Sequence, residues 1–177
     1  MISESLRSQF ENSKFLFIIG QYDKLGGAER QALMLAEHLQ KLAGCRVEFL
    51  AWGGKGRVSD AIRSIGVVSH VFPLNWSRGR LSRFMTLRRL ADFIRTEIRP
   101  DYLLPYIGFN CKIMGMIWRR CGARFTWWNQ RDEGRDVFGS RIEHRVIHSV
   151  SSVVSNSYEG RDFLARTFGI EVAGNPR

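Results

Sequence analysis

A chain of 177 residues with 44% hydrophobic and 25% charged residues has the size and apolar content of one globular domain, which excludes a disordered chain. Lys and Arg outnumber Asp and Glu by 27 to 17, for a net charge of +10, so the surface favours polyanions, phosphorylated substrates or anionic lipid. A domain of this length buries roughly 70% of the surface that its unfolded chain exposes, enough for a core without metals or disulfides.

The segment 1–13 is polar, with Glu4, Arg7 and Glu11. It lacks the apolar core and small-residue cleavage site of a secretory signal, so a polar tail ahead of one domain over 14–177 is expected, in the cytoplasm. Phe15-Leu-Phe-Ile-Ile-Gly20 is a continuous apolar run of the kind found in a parallel strand covered on both faces. From Ala28, the apolar positions Ala32, Leu35, Ala36, Leu39 and Leu42 recur at helical spacing, and Gly44 is a natural stop. Arg46 to Trp52 reads as a strand, Val58 to Ile65 as a helix ended by Gly66, and Val67 to Phe72 as another strand. Between Leu81 and Ile98 the stripe Phe84, Leu87, Ala91, Ile94, Ile98 has helical spacing, and Pro100-Asp101 separates it from a strand at Tyr102 to Tyr106. A helix near Phe109 to Cys121, a strand at Arg124 to Trp128, a helix around Ser140 to His148, a strand at Ser152 to Ser155 and a helix at Ser157 to Phe168 complete the pattern. The apolar stretch from Tyr102 to Trp118 is broken by Pro105, Asn110 and Lys112 and is too short for the roughly 20 residues of a membrane span.

Six strands alternating with helices predict a Rossmann-like α/β fold, a parallel sheet flanked by helices on both faces. Ligands of such sheets sit at the carboxyl ends of the strands. The loop there after the first strand, Gly20 to Glu29, carries Gly26-Gly27 at a helix start, where open amides and the helix dipole favour a phosphate or sugar. Neither G-x-G-x-x-G nor G-x-x-x-x-G-K-[ST] is present, which counts against a nicotinamide oxidoreductase or a P-loop NTPase. Cys45, Cys111 and Cys121 form no C-x-x-C pair and point to a reducing compartment. His144 and His148 are four apart, but Arg145 stands where H-E-x-x-H needs Glu, so no metal site is expected.

The longer string of apolar strand, polar loop, Gly26-Gly27-Ala28-Glu29 and an amphipathic helix with Leu35-Ala36-Glu37-His38-Leu39 resembles the opening of family 4 glycosyltransferases, enzymes of the two-domain GT-B fold. Arg99-Pro100-Asp101 resembles the lead into that family's fourth strand, and Val153-Val-Ser-Asn-Ser157 followed by Glu159, Phe163 and Leu164 is similar to its late strand, Asn-Ser, helix signature. The resemblance covers nearly the whole chain and implies the amino-terminal, acceptor-side half of a retaining enzyme. In such an enzyme a second domain, expected to be absent from this chain, holds the nucleotide-diphosphate sugar. No further cofactor is implied. The partners implied are that donor and a sugar or lipid-linked glycan acceptor of polysaccharide or lipopolysaccharide synthesis, with the isolated chain inactive.

Under this resemblance Gly26, Gly27 and Glu29, with Asn156, Ser157 and Glu159, are the expected substrate-binding residues. Trp127 to Gly134 is a second polar cluster at a strand end. Relatives carry a His near it and this chain has none, which leaves Asn129, Arg131, Asp132 and Glu133 as the candidate catalytic groups: Arg131 to hold phosphate, an acid to accept from the acceptor hydroxyl. A regular strand sends Trp127 and Trp128 to opposite faces, one into the core and one toward a sugar-stacking surface. Arg78 to Arg99 holds seven Arg against Asp92 and Glu97. That pattern suits a basic amphipathic helix on anionic lipid, with Arg80, Arg83, Arg88 and Arg89 facing the membrane, or a core-packed helix with a charged outer face. The competing reading is a non-catalytic, Arg-rich module for phosphorylated ligands or nucleic acid, although no RRM, KH or helix-turn-helix pattern is present. A weaker one is half of an oxidoreductase or methyltransferase.

Overall fold

The computed structural model describes residues 10–74, 76, 79–131, 134, 137–170 and 172. Arg78, Asp132, Glu133, most of the predicted tail and the side chain of Leu42 lie outside the described residues. Strands β1 (Lys14–Ile18), β2 (Arg46–Ala51), β3 (Val68–Val71), β4 (Tyr102–Pro105), β5 (Phe125–Gln130) and β6 (Ser152–Ser155) alternate with helices α1 (Gly27–Ala43), α2 (Arg57–Ser64), α3 (Arg80–Phe93), α4 (Gly108–Ile117), α5 (Arg141–Ile147) and α6 (Tyr158–Phe168). All strand pairs are parallel, in the order β3-β2-β1-β4-β5-β6. This is the Rossmann-like order expected from the alternation, with the direction of winding reversing between β1 and β4.

The apolar run of β1 is buried on both sides, with Leu16, Phe17 and Ile18 fully enclosed. Phe15 and Phe17 pack with Ala32 and Ala36 of α1 and Val58 and Ile62 of α2. Leu16 and Ile18 pack on the other face with Leu90, Ala91, Ile113 and Met114 of α3 and α4. A third cluster joins Trp128 of β5 to Val146, Ile147, Leu164 and Phe168 of α5 and α6. Each fully buried side chain of this size contributes roughly 1.5–3 kcal/mol.

Charges close the amino edge of the sheet. Lys14 Nζ lies 2.5 Å from Glu48 Oε1 and donates to the Ile98 carbonyl, and His70 Nε2 lies 2.6 Å from Glu48 Oε2. Asp101 of the Arg-Pro-Asp segment accepts from the Lys14 amide at 3.0 Å and pairs with Arg124 at 3.2 Å. It therefore binds the starts of β1, β4 and β5 together.

Four features differ from the expectation. Phe10, inside the segment read as a polar tail, packs on Phe15 and Tyr102, with ring centroids 5.8 and 5.5 Å away. The helix beginning at Arg80 continues as a π-helical turn over Ile94–Ile98 and ends at Arg99 in the left-handed region, φ 55°. Phe84, first in the predicted stripe, is 58% exposed, while Leu90, Ala91, Ile94 and Ile98 are buried. The reason is length. From Phe84 to Ile98 the helix advances about 21 Å at 1.5 Å per residue, whereas the four residues of β4 supply only about 13 Å of sheet. The first turns of α3 overrun the sheet. Strand β5 also continues two residues past Trp128, to Gln130. No described helix is long and apolar enough to cross a membrane.

Candidate functional site

The reversal between β1 and β4 opens the carboxyl edge of the sheet, where the loops after β1, β2, β4, β5 and β6 gather. The loop after β1 is braced by its neighbour. Trp52 N donates to Gly20 O at 3.1 Å and Tyr22 N to Gly53 O at 3.2 Å. A Cβ on Gly54 would stand 3.2 Å from Tyr22 N, and one on Gly56 3.1 Å from Asp23 Cα. Both glycines have positive φ, 83° and 157°. Only residues without a side chain allow the two loops this approach. The Tyr22 hydroxyl donates to the His70 carbonyl at 2.9 Å, and burial pushes its pKa above the usual range.

Gly26 and Gly27 differ. The Gly26 amide donates to Glu29 Oε2 at 3.0 Å, because a Glu three residues into a helix reaches back to the cap. The Gly26 amide is thus taken up by its own helix, and a Cβ added at Gly27 would meet nothing within 4 Å.

The turn after β4 is strained. Ile107 has φ 74° and ψ 142°, a region that β-branched residues avoid. Asn110, 1% exposed, holds the turn: its Nδ2 donates to Tyr106 O at 2.6 Å and its Oδ1 accepts from Trp52 Nε1 at 2.7 Å. In the sequence Asn110 stands only as a break in an apolar run. Its partners lie four residues away and 58 away, and the second is invisible without the fold.

Arg131, at the end of β5, connects three loops. Its Nη1 donates to Gln31 Oε1 on the first turns of α1 at 2.5 Å, and its guanidinium lies 5.7 Å from the centroid of the Tyr106 ring. Tyr106 in turn meets Trp127 edge to face at 5.9 Å. Burial pushes the Tyr106 hydroxyl up to about 12, against the opposing pull of Arg131. Trp127 is half-buried and donates to Pro105 O at 3.0 Å, while Trp128 is fully buried and donates to Gln130 Oε1 at 2.9 Å. The two do face opposite sides.

Asn129 is buried, and its amide donates to the Cys111 sulfur at 3.4 Å. Asn156, with its amide nitrogen turned toward the chain, donates to Gln130 O and Arg131 O at 3.1 Å each. It thereby secures the backbone that carries Arg131. Ser157 caps α6 by accepting from Gly160 N at 3.0 Å, and Glu159 is exposed on the first turn. Asp132 and Glu133 lie outside the described residues. The structure thus brings Arg131 to α1 and joins Asn156 to Arg131, while Glu29 faces its own cap.

On α3, Arg80, Arg88 and Arg89 are exposed and Arg83 is half-buried, 5.5 Å over the Trp76 ring. Leu81, Phe84 and Met85 beside them are exposed at 75%, 58% and 40%. His148 Nδ1 lies 2.8 Å from the His144 carbonyl, and among the described residues no three His, Cys, Asp or Glu side chains gather as a metal site. The three cysteines are unpaired and buried; burial raises all three thiols, Cys111 and Cys121 to about 12. Thiols this far from ionising are poor nucleophiles.

The fold is shared with solved sugar-nucleotide enzymes. Anabaena Alr3699/HepE, solved in complex with UDP and glucose, superposes with a TM-score of 0.64 at 15% identity, over 88% of this chain and 41% of that one. The lipopolysaccharide outer core galactosyltransferase WaaB, in its apo form, gives 0.58 at 14% identity, over 89% and 43%. A UDP-N-acetylglucosamine 2-epimerase gives 0.57 at 10% identity, over 88% and 45%. The chain therefore spans about two fifths of the length of these proteins, and the shared fold alone does not separate transfer from epimerisation. No curated protein sequence matches the chain. The family model described as Glycosyltransferase Family 4 matches residues 25–173, and the chain belongs to that family.

Proposed function

We propose that this chain is the acceptor-side domain of a retaining glycosyltransferase, moving a sugar from a nucleotide-diphosphate sugar to a glycan or lipid-linked acceptor of polysaccharide or lipopolysaccharide synthesis. The observation that carries the reading is the family match over residues 25–173. HepE, solved with UDP and glucose, supports the donor class. Such a transfer needs the acceptor hydroxyl aligned with the anomeric carbon and the departing diphosphate stabilised. Arg131, held between Gln31 and the Tyr106 ring, suits the second task, since a guanidinium fork matches phosphate oxygens. The Gly27 amide, one helical turn before Gln31, is a candidate neutral donor, and Asn129, Glu29 and Glu159 are candidates for the acceptor side, with Asp132 and Glu133 following Arg131 in sequence.

In the full-length enzyme, Arg131→Ala lowers kcat by roughly 10²-fold, the scale of losing one preorganised donor to developing charge, and Arg131→Lys recovers part of it. Unchanged kcat in Arg131→Ala removes Arg131 from the chemistry. The 177-residue chain alone binds an oligosaccharide or lipid-linked sugar and does not turn over a nucleotide sugar. Salt-sensitive binding of DNA or RNA with no glycan binding would replace this reading with the Arg-rich module. We also place the enzyme in the cytoplasm, at the inner face of a membrane. The acid-free start of α3, with Leu81, Phe84 and Met85 exposed among Arg80, Arg83, Arg88 and Arg89, supports that placement.

A further inference from the structure

A pit of about 450 Å³ lies between α4 and α5, formed by the end of α4 with Trp118 and Arg119 just past it and by α5 with Ser149 just past it. Helix α4 runs back from the carboxyl end of β4, so its last turns lie at the amino edge of the sheet, away from Arg131 and Gly27. Met116, Trp118, Ile142 and Val146 give the pit its apolar lining, and Arg119 and Arg145 give it charge. The two helices touch at its floor. An added Cβ on Gly115 would run into the Val146 side chain, and Ser149 Oγ donates to Gly115 O at 3.4 Å. Glycine at 115 is what allows this close approach.

The charge in the pit has one sign. No carboxylate is among the described residues that line it. The nearest acid on α5, Glu143, is buried and taken up by Lys112 at 2.6 Å. The Arg119 guanidinium stacks 5.1 Å from the Trp118 ring, which leaves its outer N–H groups to a ligand. Arg120, next to it, is turned instead to Asp92 at 3.4 Å. Ile142 is 61% and Met116 39% exposed, so apolar surface stays wet beside two cations.

We propose that this pit binds a single-chain lipid phosphate, with the chain on Met116, Trp118, Ile142 and Val146 and the phosphate between Arg119 and Arg145. A phosphate monoester carries about −1.5 to −2 charge at neutral pH, which two guanidinium groups match. The volume falls within the roughly 300–1,000 Å³ of small-ligand sites.

The test is calorimetric titration of the 177-residue chain with dodecyl phosphate below its micelle threshold, with inorganic phosphate, dodecanol and an acidic amphipathic peptide as separate arms. Saturable one-to-one binding of dodecyl phosphate is expected, at least about tenfold tighter than phosphate or dodecanol. It weakens by about tenfold or more in Arg119→Ala/Arg145→Ala and in Ile142→Asp, at exposed positions where circular dichroism confirms the fold. Equal binding of inorganic phosphate, unchanged binding in both variants, no binding at all, or binding of the peptide in place of the alkyl phosphate would each overturn the proposal. Because the assay uses no nucleotide sugar and no vesicles, its failure leaves the proposed transfer and membrane placement standing.

Discussion

Ile107 is the residue where backbone and side chain disagree. Its φ of 74° with ψ of 142° suits glycine, and for other residues such conformations cost about 1–3 kcal/mol. The cost is sustained because Asn110 binds the carbonyl of Tyr106 at 2.6 Å while accepting from Trp52. Comparing two truncations separates strain from packing, since both remove the side chain that packs on the core beside Tyr106. Ile107→Gly is expected to be more stable than Ile107→Ala by about 1–2 kcal/mol in urea unfolding, the reverse of the ordinary order. Equal stability, or Ala above Gly, would show the turn to be unstrained.

Elements were legible in proportion to how local their causes are. The run Phe15 to Ile19 announced a strand buried on both faces, and Gly44 and Gly169 stand after α1 and α6 as left-handed caps with φ 60° and 66°. The π-helical turn at Ile94–Ile98 was not legible, because Ile94 and Ile98 are spaced as an ordinary helix would space them. The exposure of Phe84 depends on the length of the sheet beside it, which its own period does not encode. The candidate site was legible as a set of loops but not as a set of contacts: Arg131 meets Gln31 across 100 residues, and Gly54 and Gly56 matter through backbone they approach. Helix α5 shows a local cause with a pH signature. Glu143 is 3% exposed. Burial opposes its charge, but Lys112 and the Ser140 and Phe138 amides outweigh burial and lower its pKa. A lowered folded pKa gives stability that is present above the unfolded value, about 4.3, and lost as pH falls through the folded one. Glu143→Gln therefore costs about 1–3 kcal/mol at neutral pH. The gap between variant and parent closes as pH falls below about 4; a gap that stays constant down to acid pH would contradict the assignment.

At the scale of the whole molecule, a net charge of +10 draws the chain toward any anionic surface, so attraction alone does not identify a membrane face. The proposed face makes a sharper claim, because α3 overruns the sheet and leaves Leu81, Phe84 and Met85 outside the core among cations. Arg88 stands 3.9 Å from Asp92 and Arg83 covers Trp76, which leaves Arg80 and Arg89 as the cleaner probes of electrostatics. Each cation near an anionic leaflet is worth about 1 kcal/mol, so Arg80→Ala/Arg89→Ala should weaken partitioning onto phosphatidylglycerol-containing vesicles by roughly 30-fold. Phe84→Ser, which removes apolar insertion and leaves the charge intact, should weaken it as well. The two losses differ in salt. The screening length shrinks from about 10 Å at 0.1 M to about 3 Å at 1 M, so high salt erases the difference made by the arginines and preserves the difference made by Phe84. Sedimentation with vesicles reads both. If equally charged arginine substitutions on α1 or α6 weaken binding as much, and Phe84→Ser changes nothing, the attraction belongs to the overall charge and α3 has no membrane face.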